Sequence, residues 1–166
     1  MATKKQNLSD FNKENVPDAT GMSFGIVVSE WNPEITNALY EGAYKTLLSL
    51  GAKSKDIIRK NVPGSFELPA AASQFASYTE VDAVICLGCV IQGETKHFDF
   101  ICSATANSIS ALNIQYDTPI IFGVLTTGTM QQAQDRAGGK HGNKGDEAAV
   151  SAVKMVAVLK EIREGK

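Results

Sequence analysis

Apolar and polar positions along this chain alternate between two periods. Runs that are continuously apolar or repeat every second residue, at 22–28, 56–62, 81–90 and 119–125, predict four strands. Helical spacing fills the intervals. Ile35, Leu39, Ala43 and Leu47 form one stripe that opens at Asn32 as N-cap and Pro33 as first helical residue, and stops at Gly51. The turn G-S-F-E-L-P at 64–69 feeds an alanine-rich helix that runs to about Tyr78. A helix over 99–112 carries Ile101, Ala104, Ile109 and Leu112, and a short one covers 129–136. Residues 136–145 form a basic loop punctuated by glycine, and 146–162 a long amphipathic helix with Ala149, Val153, Val156 and Leu159 on its stripe. Alternating strands and helices predict an α/β domain: a three-layer α/β/α sandwich around a four-stranded parallel sheet, with the very apolar 81–90 run at its centre. Residues 1–21 are polar, with Leu8 and Phe11 as their only large apolar side chains, and read as a loosely attached arm or an extra N-terminal strand. Residues 22–166 form the single domain.

Composition narrows the classes. A chain of 166 residues suffices for one well-buried core, and its formal charge of −2 comes from interspersed signs without the basic block of a nucleic-acid binder. The N-terminal stretch lacks the apolar core of a signal peptide and no run is long enough to span a bilayer, so a cytoplasmic protein without membrane contact is expected. Cys86 and Cys89 spell C-x-x-C inside a predicted strand. Residues three apart on a strand face opposite sides, so these thiols, with Cys102, read as packing groups and not as a redox or metal site.

Polar and aromatic candidates gather after the carboxyl ends of the strands, where ligands bind in parallel sheets. Trp31 and Asn32 follow the first, Ser65, Phe66 and Glu67 the second, and Val90, Ile91 and the turn Gly93-Glu94-Thr95 the third. Thr126 and Thr127 follow the fourth. Gly93 to Thr95 can offer backbone N–H groups to a phosphate at a helix start, with Arg136 as the cation that grips it in bidentate fashion. Spacing in the basic loop is not that of a nucleotide P-loop. His97 offers an imidazole, the side chain best suited to proton transfer in either direction near neutral pH, with Asp99 as either its orienter or a helix cap. Trp31 is placed to stack on a flat ring, and His141 reads as solvated.

Five segments together resemble the 6,7-dimethyl-8-ribityllumazine synthase family: W-N-P-E-I-T at 31–36, G-S-F-E-L-P at 64–69, G-E-T-K-H-F-D-F at 93–100, F-G-V-L-T-T at 122–127 and R-A-G-G-K-H-G-N-K-G at 136–145. The resemblance implies a flavodoxin-like fold and a transferase of riboflavin biosynthesis that uses no metal or organic cofactor. Its reaction would condense 5-amino-6-ribitylaminouracil with 3,4-dihydroxy-2-butanone 4-phosphate. It further implies that Trp31 stacks on the pyrimidine and that Ser65 and Glu67 bind the ribityl chain. Backbone at Val90 and Ile91 would meet the pyrimidine, while Phe122 lines the site and Lys144 adds charge beside the substrates. Gly93, Glu94, Thr95 and Arg136 would hold the phosphate, and His97 would shuttle protons. Self-association into pentamers is implied, with the Phe122, Arg136 and Lys144 group donated across the interface. Sixty-subunit shells and a riboflavin synthase partner are further expectations. The alternatives are a riboflavin synthase of the same fold and a non-catalytic flavin-binding shell protein. Glu30, Gln92, Gly128 and Asp146 depart from the family's pattern, and the first two make the mouth less basic.

Overall fold

The computed structural model describes residues 9–165. Its centre is a parallel sheet of β1 (Phe24–Ser29), β2 (Ile57–Val62), β3 (Ala83–Ile91) and β4 (Ile120–Thr127), ordered β2-β1-β3-β4. Helices α1 (Pro33–Ser49) and α5 (Lys144–Arg163) cover one face, while α2 (Leu68–Tyr78) and α3 (His97–Gln115) cover the other. The flavodoxin-like three-layer sandwich expected from the sequence is the observed fold.

Both inner faces of β3 are dry. Ala83, Ile85, Leu87 and Cys89 pack with Phe24, Ile26, Leu39, Leu47, Ala149 and Val153 on the α1/α5 side. Val84 and Cys86 pack with Leu68, Phe75, Ile109 and Val124 on the α2/α3 side. The strand pleat thus separates the two cysteines onto opposite layers, as the spacing predicts.

Four expectations change. Residues 9–21 are no loose arm, and among the described residues they add no strand. Val16 and Ala19 are buried in the main core, Phe11 and Met22 pack against it, and the Ala19 N–H donates to the Leu50 carbonyl at 2.8 Å. Residues 1–8, with Leu8, lie outside the described ones. The basic loop is structured: after the short α4 (Met130–Asp135), β5 (Ala137–Gly139) and β6 (Gly142–Asn143) pair antiparallel, with Gly138 and Gly142 in the left-handed region that their lack of a Cβ permits. Helix α3 starts at His97, two residues early, and α5 starts at Lys144, where the Asn143 side chain accepts from the Gly145 N–H at 2.8 Å as a cap. Strand β4 continues through Thr126 and Thr127, which therefore belong to the strand end instead of a following turn.

Candidate active site

The sheet order reverses between β1 and β3, since the chain leaves β1 for β2 on one side and returns to β3 on the other. Such a switch point opens a crevice beyond the carboxyl ends of the strands. A cavity of about 1050 Å³ lies there, lined by Trp31 and Asn32 after β1, Gly64 to Glu67 after β2, Cys89 to Ile91 on β3, and His97, Phe100, Ile101 and Ala104 on α3. Eight sequence-predicted residues therefore share one hollow: Trp31, Asn32, Ser65, Phe66, Glu67, Val90, Ile91 and His97.

Asn32 does not act as the expected side-chain cap. It is the only non-glycine residue in the left-handed region among the described residues, with φ 57° and ψ 56°, and its side chain bonds no helix N–H. Its Nδ2 instead donates to the Cys89 carbonyl at 3.0 Å. Asparagine tolerates this backbone geometry better than most side chains. The bond fixes the β1 exit against β3 and presents Trp31, 73% exposed, at the cavity mouth. Phe66 (56%) and Phe100 (72%) are the other exposed rings along the wall.

Ser65 is buried, its carbonyl accepts from Thr105 Oγ1 at 3.2 Å, and its own hydroxyl has no protein partner. A Cβ at position 88 would stand 2.5 Å from that hydroxyl, so Gly88 is what lets the serine lie on β3. A buried unpaired hydroxyl costs about 1–3 kcal/mol, which a ligand's polar group in the cavity would recover. Beside it, burial pushes the Cys89 thiol up to about 11, and that of Cys86 up to about 12, so neither is a nucleophile near neutrality.

Gly93, Glu94 and Thr95 form the exposed turn between two lining residues, Ile91 and His97. The His97 N–H donates to Thr95 Oγ1 at 3.4 Å, and the turn borders the positive end of the 19-residue α3. His97 is exposed. Asp99 lies in the first turn of α3, where the helix dipole favours a carboxylate, and faces Lys96 at 3.9 Å; the helix has no side-chain cap.

Phe122, Arg136 and Lys144 do not line this cavity. Phe122 packs against the α2/α3 side of the core. Arg136 donates through Nη1 to the His141 carbonyl at 3.0 Å and pairs through Nη2 with Glu147 at 2.8 Å, while Lys144 Nζ reaches the other Glu147 oxygen at 3.0 Å. The two cations thus form a second cluster where the β5–β6 ribbon begins and ends, Arg136 at the C-cap of α4 and Lys144 at the start of α5. Sequence reading missed Glu147, whose signal is a carboxylate three residues after Lys144 in a helix's first turn. It also missed Phe100, and assigned Ile101 and Ala104 to an ordinary helix stripe.

The described α3 buries only Thr105 and Ile109 out of its 19 residues, and leaves Phe100 and Ile114 among the most exposed apolar side chains. No described helix is long and apolar enough to cross a membrane.

A family model described as 6,7-dimethyl-8-ribityllumazine synthase matches residues 21–160. Proteins of that name from Parabacteroides distasonis and Cytophaga hutchinsonii are 58% and 57% identical, over 94% and 95% of this chain and 98% of each relative. One from Flavobacterium johnsoniae is 53% identical over 97% of this chain and 85% of its own length.

Proposed function

This chain belongs to the 6,7-dimethyl-8-ribityllumazine synthase family, enzymes of riboflavin biosynthesis, and on that premise we propose that it condenses 5-amino-6-ribitylaminouracil with 3,4-dihydroxy-2-butanone 4-phosphate. The products are 6,7-dimethyl-8-ribityllumazine, phosphate and water. The observation that carries this reading is the pairing of a stacking ring, an unpaired buried hydroxyl, a carboxylate and an imidazole in one cavity at the switch point.

Each feature suits one part of the chemistry. Trp31 covers the flat pyrimidine, whose edge meets backbone at Val90 and Ile91. Ser65 and Glu67 take the ribityl hydroxyls, which removes the serine's unpaired state. The aryl amine attacks the C2 ketone and water leaves; a proton is then taken from C3 as phosphate leaves C4, the resulting enol tautomerises to a C3 carbonyl and a methyl group, and the second amine closes the ring on that carbonyl with loss of a second water. His97, beside the reacting carbons, takes and returns the protons. Holding both substrates in one orientation supplies much of the acceleration, since the bimolecular step becomes effectively unimolecular.

The phosphate sits at the Gly93 to Thr95 turn, at the positive end of α3, where this chain supplies no guanidinium of its own to the cavity. Arg136 and Lys144 reach it from a neighbouring copy in a pentameric ring. The exposed apolar face of α3 and the two separate clusters of site residues support this division.

Purified protein given both substrates should produce the absorbance and fluorescence of the lumazine. Binding of the pyrimidine alone should quench the emission of Trp31, the chain's one tryptophan. No product above the uncatalysed rate would overturn the assignment.

A further inference from the structure

Glu147 stands between the two cations and is named in none of the roles above. Its two carboxylate oxygens are divided: Oε1 pairs with Arg136 Nη2 at 2.8 Å, as a close ion pair without an aligned N–H, and Oε2 accepts from Lys144 Nζ at 3.0 Å. All three side chains are largely buried, at 18%, 18% and 28% exposure, whereas the surface pair Arg163–Asp117 is 57% and 98% exposed and 3.8 Å long. Two further bonds brace the cluster: the Lys144 N–H donates to the Arg136 carbonyl at 2.9 Å, and Arg136 Nη1 donates to the His141 carbonyl at 3.0 Å. Glu147 itself lies in the first turn of α5, where the helix dipole favours a carboxylate.

We infer that Glu147 is a positioning residue for the phosphate grip, the carboxylate that pre-sets Arg136 and Lys144 in one geometry before the phosphate substrate arrives. The inference rests on the proposed reaction and on the role given there to Arg136. A guanidinium has five N–H donors. The His141 carbonyl takes one donor of Nη1 and Glu147 lies against Nη2, so donors remain for an incoming phosphate. Arginine carries substantial rotamer freedom, and a side chain already immobilised does not lose that freedom again on binding. Two effects of removing the Glu147 charge oppose each other. Freed cations attract phosphate more strongly, which lowers KM, whereas loss of the fixed geometry raises it. A pair this short and this buried makes geometry the larger effect.

The test is Glu147→Gln, which keeps size and removes charge, compared with Arg136→Ala in steady-state kinetics with both substrates and with inorganic phosphate as inhibitor. Expected is a rise of roughly 3- to 10-fold in both KM for the phosphate substrate and the inhibition constant for phosphate, with KM for the pyrimidine unchanged; the melting temperature falls, because two largely buried cations lose their counter-charge, and the kinetics are read at a temperature where the variant is folded. Glu147→Asp, which keeps the charge on an arm one methylene shorter, should fall between wild type and Gln, and it carries the test should the Gln variant not fold. A fall in phosphate KM, or values within twofold of wild type while Arg136→Ala is strongly impaired, would overturn the positioning role alone. Should Arg136→Ala also leave phosphate binding unchanged, both this inference and the site assignment fail.

Discussion

Gly145, the second residue of α5, packs directly against the backbone of α1. A Cβ there would stand 1.9 Å from the Leu39 carbonyl oxygen of α1, and backbone cannot swing aside. Restoring an ordinary carbon–oxygen contact of about 3.3 Å requires α1 and α5 to part locally by roughly 1.4 Å. That opening disturbs a seam built from Leu39, Ala43, Ala148, Ala149 and Ala152, all buried, and stretches the bond from Asn143 Nδ2 to the Ala38 carbonyl, now 2.8 Å. Overpacking of about 1–3 kcal/mol and a lost hydrogen bond of about 1 kcal/mol give roughly 2–4 kcal/mol for Gly145→Ala. For a chain of this size that is a fall in melting temperature of roughly 5–15 °C. Gly42 provides the control. A Cβ there meets Asn143 Nδ2 and Asp146 Oδ1 at 2.5 Å and Asn143 Cγ at 2.6 Å; these are side-chain atoms and not backbone, so they can shift, at the cost of weakening the Asn143 bonds to the Ala38 carbonyl and the Gly145 N–H, while alanine in the middle of α1 gains about 1 kcal/mol of helix propensity. Gly42→Ala should therefore destabilise clearly less than Gly145→Ala, by about 1 kcal/mol net, or roughly 2–4 °C. Thermal denaturation followed by circular dichroism measures both. A Gly145→Ala protein that melts like wild type, or a Gly42→Ala protein that is the less stable of the two, would refute this account of the seam.

Replacing the exposed His97 by Asn should leave folding intact and lower kcat by about 100-fold with little change in either KM; unchanged kcat would remove it as proton shuttle. In the native protein at pH 8 an alkylating reagent should spare Cys86 and Cys89 and label both after denaturation, as mass spectrometry of the labelled peptides will show. The same burial has a pH signature. The Cys86 thiol titrates near 9 when unfolded and is pushed up to about 12 in the fold, so its stabilisation is complete below pH 9 and declines by about 1.4 kcal/mol per pH unit above it. Alkaline denaturation curves of Cys86→Ala should lack that slope. Ile114→Asp on the exposed face of α3 should reduce the sedimenting mass and make activity depend on protein concentration; a variant that sediments and acts like wild type would place the subunit contact elsewhere.

The parts of this fold that were legible are those encoded over a few neighbouring residues. The β3 run predicts a strand covered on both faces, and its pleat alone assigns Cys86 and Cys89 to the opposite layers they occupy. What the local pattern misread depends on distant chain. Glycines at 138 and 142 read as punctuation in a loop, yet their positive φ angles close the β5–β6 ribbon. Residues 9–21 read as an arm because Val16 and Ala19 are small and irregularly spaced; their burial depends on the end of α1, where the Leu50 carbonyl accepts from Ala19.

Asn32 is the most instructive of these cases, because the rule that failed there is among the strongest. Asn followed by Pro announces a helix, and the helix does begin at Pro33, yet the side chain is absent from the capping position and spans to the Cys89 carbonyl instead. Local preference and tertiary demand diverge at the switch point, where the chain exits the sheet beside the cavity. The same divergence explains Ser65, whose hydroxyl is buried without a partner, and Glu147, whose carboxylate looks like an ordinary first-turn acid until Arg136 is brought to it from eleven residues earlier. In each case a residue gives up its usual local partner, or takes on a distant one, to hold a surface that a ligand can use. In the proposed assembly, the two cations beside Glu147 and the cavity that lacks them are complementary halves of such a surface, one copy supplying the shape of the site and a second its charge.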